Sequence, residues 1–277
     1  MRDYDEIKAE YEFLIKKIRF RRRLVVALTI IAFFAVLLFT TPMYVELMGE
    51  VIVDYKGLPM AVTVILVICC FIFELIAYAA VSIPINNAID RECDPEKSLI
   101  LNMELNKSSA LDHIYATDYL YLGEYDQALV YCEKMISSSR EPNMLAGLMH
   151  KARCEFLRGN IESLKECEAK YAAVLSQSKK KESALIPYQK IHINMKLMCA
   201  IADNDVEVIN ELRNPVEPWS PLKLCEEYVN YLKGLAAFAV DDREEAVYRL
   251  KSVCDRCPKT VFAKLANEKL NCILNKF

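Results

Sequence analysis

Two cysteines near the C-terminus have the spacing of a redox motif. The segment "CDRC" contains Cys254 and Cys257, and in redox enzymes with this spacing a helix N-terminus lowers the thiol pKa. Here the motif ends a predicted helix just before Pro258, where the helix dipole has the opposite sign. A zinc site would need two further ligands, and no second CxxC or paired histidine follows. We therefore interpret the pair as buried or half-buried thiols, with a redox enzyme as the alternative.

The three histidines show no catalytic or metal-binding pattern. His113, His150 and His192 fall on different predicted helices and form no HExxH motif, and the chain contains neither a glycine-rich phosphate loop nor a GxSxG segment. The sequence therefore predicts a protein that is not an enzyme and that holds no metal or cofactor.

Glu74 is the only charged residue between Gly57 and Ile89. An acidic side chain within a bilayer costs on the order of 2–3 kcal/mol on insertion scales, which makes it a functional hypothesis by default. Because the apolar run is longer than one span needs and the other span offers no basic partner, we favour a structural or assembly role. An accessory or pore-forming subunit of a transport complex that uses Glu74 is the alternative function.

Two apolar runs predict two transmembrane helices, at 24–45 and 58–83, joined by a short extracytoplasmic loop at 46–57. Each run covers the roughly 20 residues that cross a hydrocarbon core. Basic residues are concentrated before the first run, which places both termini in the cytoplasm and the protein in the cell membrane as a multi-pass protein. Residues 1–23 predict a cytosolic amphipathic helix that either lies on the membrane surface, binds a partner, or packs on the soluble domain.

The charge and cysteine content of segment 90–277 limit its partners and its compartment. Its net charge is −3, from 26 basic and 29 acidic residues, so we expect no nucleic-acid partner. Nine of the eleven cysteines of the chain lie after Ile89 at irregular spacing, which is typical of reduced cytosolic thiols.

Segment 90–277 is predicted to be all-α. "CDPE" offers Asp94 as an N-cap and Pro95 at the first helical position, and no later window shows sustained strand alternation. Helix pairs turn at Gly123, Gly159, Asp203 and Asp241, which are 36, 44 and 38 residues apart. A repeat of helix pairs at such spacing predicts an α-solenoid of about four hairpins.

These segments resemble tetratricopeptide repeats. Small, aromatic, turn and closing residues occupy the positions expected in that family: Ala116, Tyr119, Gly123, Tyr125, Ala128, Ala152, Gly159, Gly234, Ala246 and Pro258. The hairpin at Asp203 is degenerate, and Leu164 stands where a small residue is expected. The layout of two spans followed by weak repeats is also similar to uncharacterised membrane proteins of Clostridia-like bacteria.

The resemblance implies a concave groove lined by the first helix of each pair. Carried onto this sequence, its positions are His113, Thr117, Tyr121, Met149, Arg153, Phe156, Tyr228, Tyr231, Leu235 and Phe238. We expect a membrane-anchored scaffold that recruits a protein or peptide partner through this apolar and aromatic surface, and homo-oligomers are possible. Alternatively, the same residues pack on helix 94–105 or on the C-terminal helix. Trp219, the only tryptophan, either anchors a partner or caps the core.

Overall fold

The computed structural model describes residues 3–40, 43–47, 50–55, 60–106 and 111–274. The chain divides into two compact units. One unit is Glu10–Pro84, and the other combines the residues up to Ala9 with those from Ile85 onward. The described residues form twelve helices and one two-stranded hairpin.

The unit Glu10–Pro84 contains most of two long helices with a β-hairpin between them. Helix α1 is Tyr4–Thr40, strands β1 and β2 are Met43–Leu47 and Glu50–Tyr55, and helix α2 is Met60–Asp90. The strands are antiparallel, with Met43 opposite Tyr55. Helix α1 ends at Thr40, so the helical end predicted at residue 45 is wrong. β-branched residues such as Val45 and Val53 suit a strand. The predicted loop likewise contains a hairpin, whereas its boundary at residues 57 and 58 lies outside the described residues.

Helix α2 has the character of a membrane span. Among the described residues, one helical segment, Val64–Asp90, is long and apolar enough to cross a membrane by length and composition, with a mean hydropathy of 2.7. The described helix extends beyond the predicted end at residue 83 and continues through Pro84. Glu74 is half-buried on this helix.

The regular secondary structure described from Ile85 onward is entirely helical. Its helices after α2 are α3 Pro95–Leu105, α4 Asp112–Leu122, α5 Tyr125–Ile136, α6 Glu141–Arg158, α7 Ile161–Ser176, α8 Glu182–Asp203, α9 Val206–Leu212, α10 Lys223–Ala239, α11 Arg243–Arg256 and α12 Val261–Leu274. Capping follows ordinary helix chemistry. At α3, for example, Asp94 accepts a hydrogen bond from the Lys97 backbone N–H at 3.0 Å, with Pro95 at the first position.

Four consecutive helix pairs, from α4/α5 to α10/α11, turn at residues in the left-handed conformation. These residues are Gly123 at φ 82°, Gly159 at φ 74°, Asn204 at φ 55° and Asp241 at φ 59°. The third turn was predicted at Asp203, and the structure places it one residue later. Asparagine enters this backbone region more readily than most residues because its short amide hydrogen-bonds locally.

Close helix contacts explain the small residues of the pairs. Ala116, Ala128, Ala152 and Ala246 are fully buried. A Cβ atom added to Gly234 would lie 2.8 Å from Leu250 Cδ2, so α10 and α11 approach each other too closely for a larger residue.

The first helices of the pairs form a closed cycle of contacts. Helix α4 contacts α6, α6 contacts α8, α8 contacts α10, α10 contacts α12, and α12 contacts α4 again. One hydrophobic core extends through all of these helices and includes Tyr121, Tyr228 and Phe262. The last helix is therefore a neighbour of the first pair.

The start of α1 belongs to this helical unit. Ile7 is buried, Tyr4 Oη donates to Glu104 Oε1 at 3.0 Å, and Lys8 Nζ pairs with the same carboxylate at 2.6 Å. For the first two turns of the N-terminal helix, these contacts favour the alternative of packing on the helical unit that begins at Ile85.

Candidate functional site

A cavity of about 410 Å³ lies among helices of the unit that begins at Ile85. Its walls come from the end of α2, from α3, α4, α6 and the start of α10, and from the loop before α10. The size falls within the range of ligand pockets in proteins. We treat this cavity as the candidate site because it combines apolar walls with buried polar groups.

The guanidinium of Arg153 is the fixed charge of the cavity. Only 2% of the residue is exposed, and its Cζ lies 4.2 Å from the ring centroid of Trp219 and 4.3 Å from that of Tyr228. Burial raises the pKa of Tyr228 to about 12, although the charge of Arg153 opposes this effect. The two aromatic rings hold the cation by cation–π attraction.

Two histidines meet at the cavity. The rings of His113 and His150 are 6.0 Å apart between centroids, and His150 Nε2 lies 3.4 Å from Thr117 Oγ1. Burial holds the pKa of His150 well below its usual value, and the nearby charge of Arg153 acts in the same direction. His150 is therefore neutral at physiological pH, so its ring offers one donor and one acceptor.

A buried carboxyl group completes the polar part of the lining. Asp118 has no exposed surface, and its Oδ2 accepts a hydrogen bond from Ser98 Oγ at 3.0 Å. Ser98 also accepts from Asn102 through its backbone oxygen at 3.0 Å. Burial raises the pKa of Asp118 well above its usual value, against the effect of Ser98. Asp118 is consequently a candidate neutral acid that can donate a hydrogen bond.

The structure places half of the predicted groove residues in this cavity and the other half elsewhere. The five that line it are His113, Thr117, Tyr121, Met149 and Arg153. The remaining five, Phe156, Tyr228, Tyr231, Leu235 and Phe238, belong to the hydrophobic core or pack against it.

Helix α12 covers the second half of the predicted groove. The ring of Phe262 lies 4.9 Å from Tyr121, 5.2 Å from Tyr228 and 5.2 Å from Tyr231 between centroids, and Lys269 Nζ lies 4.1 Å from the Phe238 ring. Of the two alternatives, packing on the C-terminal helix therefore describes this half of the groove. The rings of Tyr121, Tyr228 and Tyr231 are buried beside Phe262, which removes them from water.

The thiols of the "CDRC" segment have different partners. Cys257 Sγ donates to Cys93 Sγ at 2.6 Å, and both residues are buried. Cys254 Sγ donates to the backbone oxygen of Ala263 at 3.4 Å. Among the described residues, no group of three or more His, Cys, Asp or Glu side chains is placed to hold a metal ion.

Sequence reasoning missed several residues of the cavity. Asp118 and Ser98 carried no motif, although an acid directly after the groove position Thr117 on an otherwise apolar helix was a usable signal. Trp219 lines the cavity and also packs against the core, with its ring 5.9 Å from Tyr228. Its packing against the core agrees with the second interpretation, a cap on the core, whereas anchoring of a partner stays a prediction.

Comparison of the chain with protein-family models, with curated proteins and with solved structures gives no match in any of the three.

Proposed function

We propose that this protein is a membrane-anchored binding scaffold that recruits a partner protein to the cytosolic face of the cell membrane without covalent chemistry. In this proposal both apolar runs cross the bilayer, both termini are cytoplasmic, and the helix pairs belong to a tetratricopeptide-like array. The basic residues before the first run and the apolar character of Val64–Asp90 support this topology. Tethering raises the effective concentration of the scaffold for its partner, so a weak site is sufficient.

The single observation that carries the proposal is the cavity around Arg153. It keeps five predicted groove residues together in a concave, mostly apolar pocket with a few polar groups, which is the usual composition of binding sites. Because α12 covers the rest of the groove, a long peptide cannot follow it. A short segment of the partner enters the cavity instead.

Site-specific photo-crosslinking in intact cells tests this function. The probe replaces Ile114, which is half-buried at the cavity, and in a matched control it replaces Tyr248, which is 66% exposed on α11. We expect one recurrent partner from the cavity position and none from the control. The captured protein must then bind the purified full chain in lipid nanodiscs.

Charge substitutions make the same test quantitative. Ile114→Glu places a carboxylate at the cavity, opposite in charge to Arg153, and should abolish binding of the purified partner, whereas Tyr248→Glu should leave it unchanged. Adducts confined to this chain, or equal capture from both probe positions, would contradict recruitment through the cavity. Glu74→Gln distinguishes recruitment from the transport alternative. Recruitment should survive this substitution, whereas a transport activity that uses Glu74 should be lost.

A further inference from the structure

Arg153 is a buried cation without a protein counter-ion. Among the residues that the structure describes, it makes no ion pair with any carboxylate. Its guanidinium lies over the rings of Trp219 and Tyr228 and also hydrogen-bonds to Tyr228. An unpaired charge inside a protein is costly, and cation–π contacts offset only part of that cost. The site is thus electrostatically complementary to an anion.

Two further buried polar atoms of the lining lack partners. His150 Nδ1 and Asp118 Oδ1 make no hydrogen bond within the described part of the chain, although the two residues are 2% and 0% exposed. Thr117 Oγ1 donates to the backbone oxygen of His113, so His150 Nε2 donates to Thr117 and Nδ1 is left as an acceptor. Buried polar atoms are normally hydrogen-bonded, so both atoms mark this lining as a polar surface. Within the described residues neither group forms an ion pair with Arg153, whose cation faces the two aromatic rings.

Asp90 is the other carboxylate at the cavity. It is half-buried at the end of α2. It forms no ion pair with Arg153 within the described residues. Arg153 therefore has no carboxylate partner among the described residues of the cavity, and its cation lies beside Trp219.

Aliphatic side chains form much of the remaining lining. Ile85, Ile89, Met149, Leu222 and Leu224 contribute aliphatic surface to the same cavity, and Tyr121 packs on Phe262 of α12. A ligand that fits must place an anionic group on Arg153 and an apolar body on these side chains.

We propose that the cavity recognises a carboxylate on an apolar body, with the Arg153 guanidinium as its counter-ion, and that an acidic side chain within an apolar segment of the recruited partner supplies it. The guanidinium fork matches the two oxygens of a carboxylate. This inference rests on the proposed function, since it names the chemistry of the segment that enters the cavity.

Trp219 provides the assay. It is the only tryptophan in the chain and lies against Arg153, so its fluorescence reports directly on an anion at the guanidinium. The full chain in lipid nanodiscs is titrated with hexanoate and hexanamide, and with the capped peptides acetyl-Leu-Glu-Leu-amide and acetyl-Leu-Gln-Leu-amide. Each pair differs in charge but hardly in shape.

We expect each carboxylate to bind roughly 10- to 100-fold more tightly than its amide, as charge-assisted hydrogen bonds usually achieve. Arg153→Gln should abolish this difference, and Arg153→Lys should keep part of it. The matched control is Arg158→Gln on the same helix, whose arginine pairs with Asp126 at the surface at 2.7 Å. This control should leave the difference intact. Circular dichroism confirms that each variant retains its helices.

The outcomes separate the inference from the proposed function. Equal binding of acids and amides would overturn anion recognition while leaving recruitment through the cavity in place. Binding of hexanoate without binding of the acidic peptide would overturn the partner assignment and indicate a small organic acid as ligand. An unchanged Trp219 signal with all four probes would overturn the inference, and photo-crosslinking then decides on recruitment separately.

Discussion

Asp118 shows how burial alone changes the chemistry of one side chain. Its carboxyl group is fully buried and holds one hydrogen bond, from Ser98, and burial raises its pKa well above the usual value. The folded protein therefore keeps a proton on this group at pH values at which the unfolded chain has lost it. Stability falls as the pH rises from the usual pKa of aspartate to the raised pKa.

Asp118→Asn should remove this pH dependence. Below the usual pKa of aspartate both proteins carry an uncharged side chain, and we expect similar melting temperatures there. At neutral pH the variant should be the more stable protein, because asparagine needs no proton to remain neutral. Melting curves of the detergent-solubilised full chain across this pH range measure the effect. The exposed Asp126→Asn is the control, and an equal gain in both variants would contradict the explanation.

At the residue scale, the sequence predicted which residues belong to the candidate site better than it predicted what surrounds each of them. Arg153 and His113 were found because the repeat resemblance assigns them to one surface. The burial of Arg153 was not predictable from the sequence, since its aromatic neighbours Trp219 and Tyr228 are distant along the chain. The unpaired atoms of Asp118 and His150 likewise depend on tertiary packing that a single sequence does not display.

The helix pairs depend on glycines of two kinds. Gly123 and Gly159 occupy left-handed turns, and such glycines are recognisable because they interrupt an apolar helical pattern. Gly147 lies inside α6, where an added Cβ would meet the backbone oxygen of Cys132 at 2.8 Å and Met135 Cβ at 2.9 Å. Nothing in the local sequence marks this glycine, because the restriction comes from α5.

Gly147→Ala should destabilise the protein by about 1–3 kcal/mol, the usual cost of overpacking. The clash includes a backbone atom, so a rotamer change cannot relieve it. Gly159→Ala is the comparison, since its Cβ would meet nothing within 4 Å and only the left-handed backbone is penalised, by roughly 1–2 kcal/mol. Chemical denaturation compares the two variants. A Gly147→Ala protein as stable as the wild type would show that α5 and α6 are less tightly packed.

Phe262→Ala should have a larger effect, because this side chain joins α12 to Tyr121, Tyr228 and Tyr231. Truncating a buried phenylalanine typically costs about 3–5 kcal/mol. Leu274→Ala on the same helix should cost much less, since this leucine is 59% exposed. Denaturant unfolding provides the comparison. Equal losses would mean that α12 is not held by its aromatic contacts.

At the element scale, apolar periodicity and turn residues predicted the helices and most of the turns between them. They did not predict the placement of α12, because its partners lie on α4 and α10 and no local pattern specifies them. The hairpin of β1 and β2 was also missed. Its two strands have 5 and 6 residues, and the first begins within the apolar run that predicted the first span and ends beyond it.

For the whole molecule, the proposed topology gives a direct prediction. A reporter that is active only outside the cytoplasm should be active when inserted between Leu47 and Glu50, and a fluorescent protein fused after the last residue should fluoresce inside the cell. Reporter activity at the two positions in intact cells measures the topology. Replacing Arg21, Arg22 and Arg23 with acidic residues should disturb this orientation, because these arginines precede the first apolar run. An active outside reporter at the C-terminus would contradict two crossings.

The contact between α12 and α4 limits how this protein can change in length. An open array of helix pairs gains or loses a pair at its end with little effect on the others. Here Phe262 rests on Tyr121, and Cys257 meets Cys93 although 164 positions separate them. An extra pair after α12 would find its packing surface already occupied. Duplication or loss of a helix pair would leave the two neighbouring pairs without matching contact surfaces. We therefore expect the loops of this protein to vary in evolution far more freely than the number of its helices.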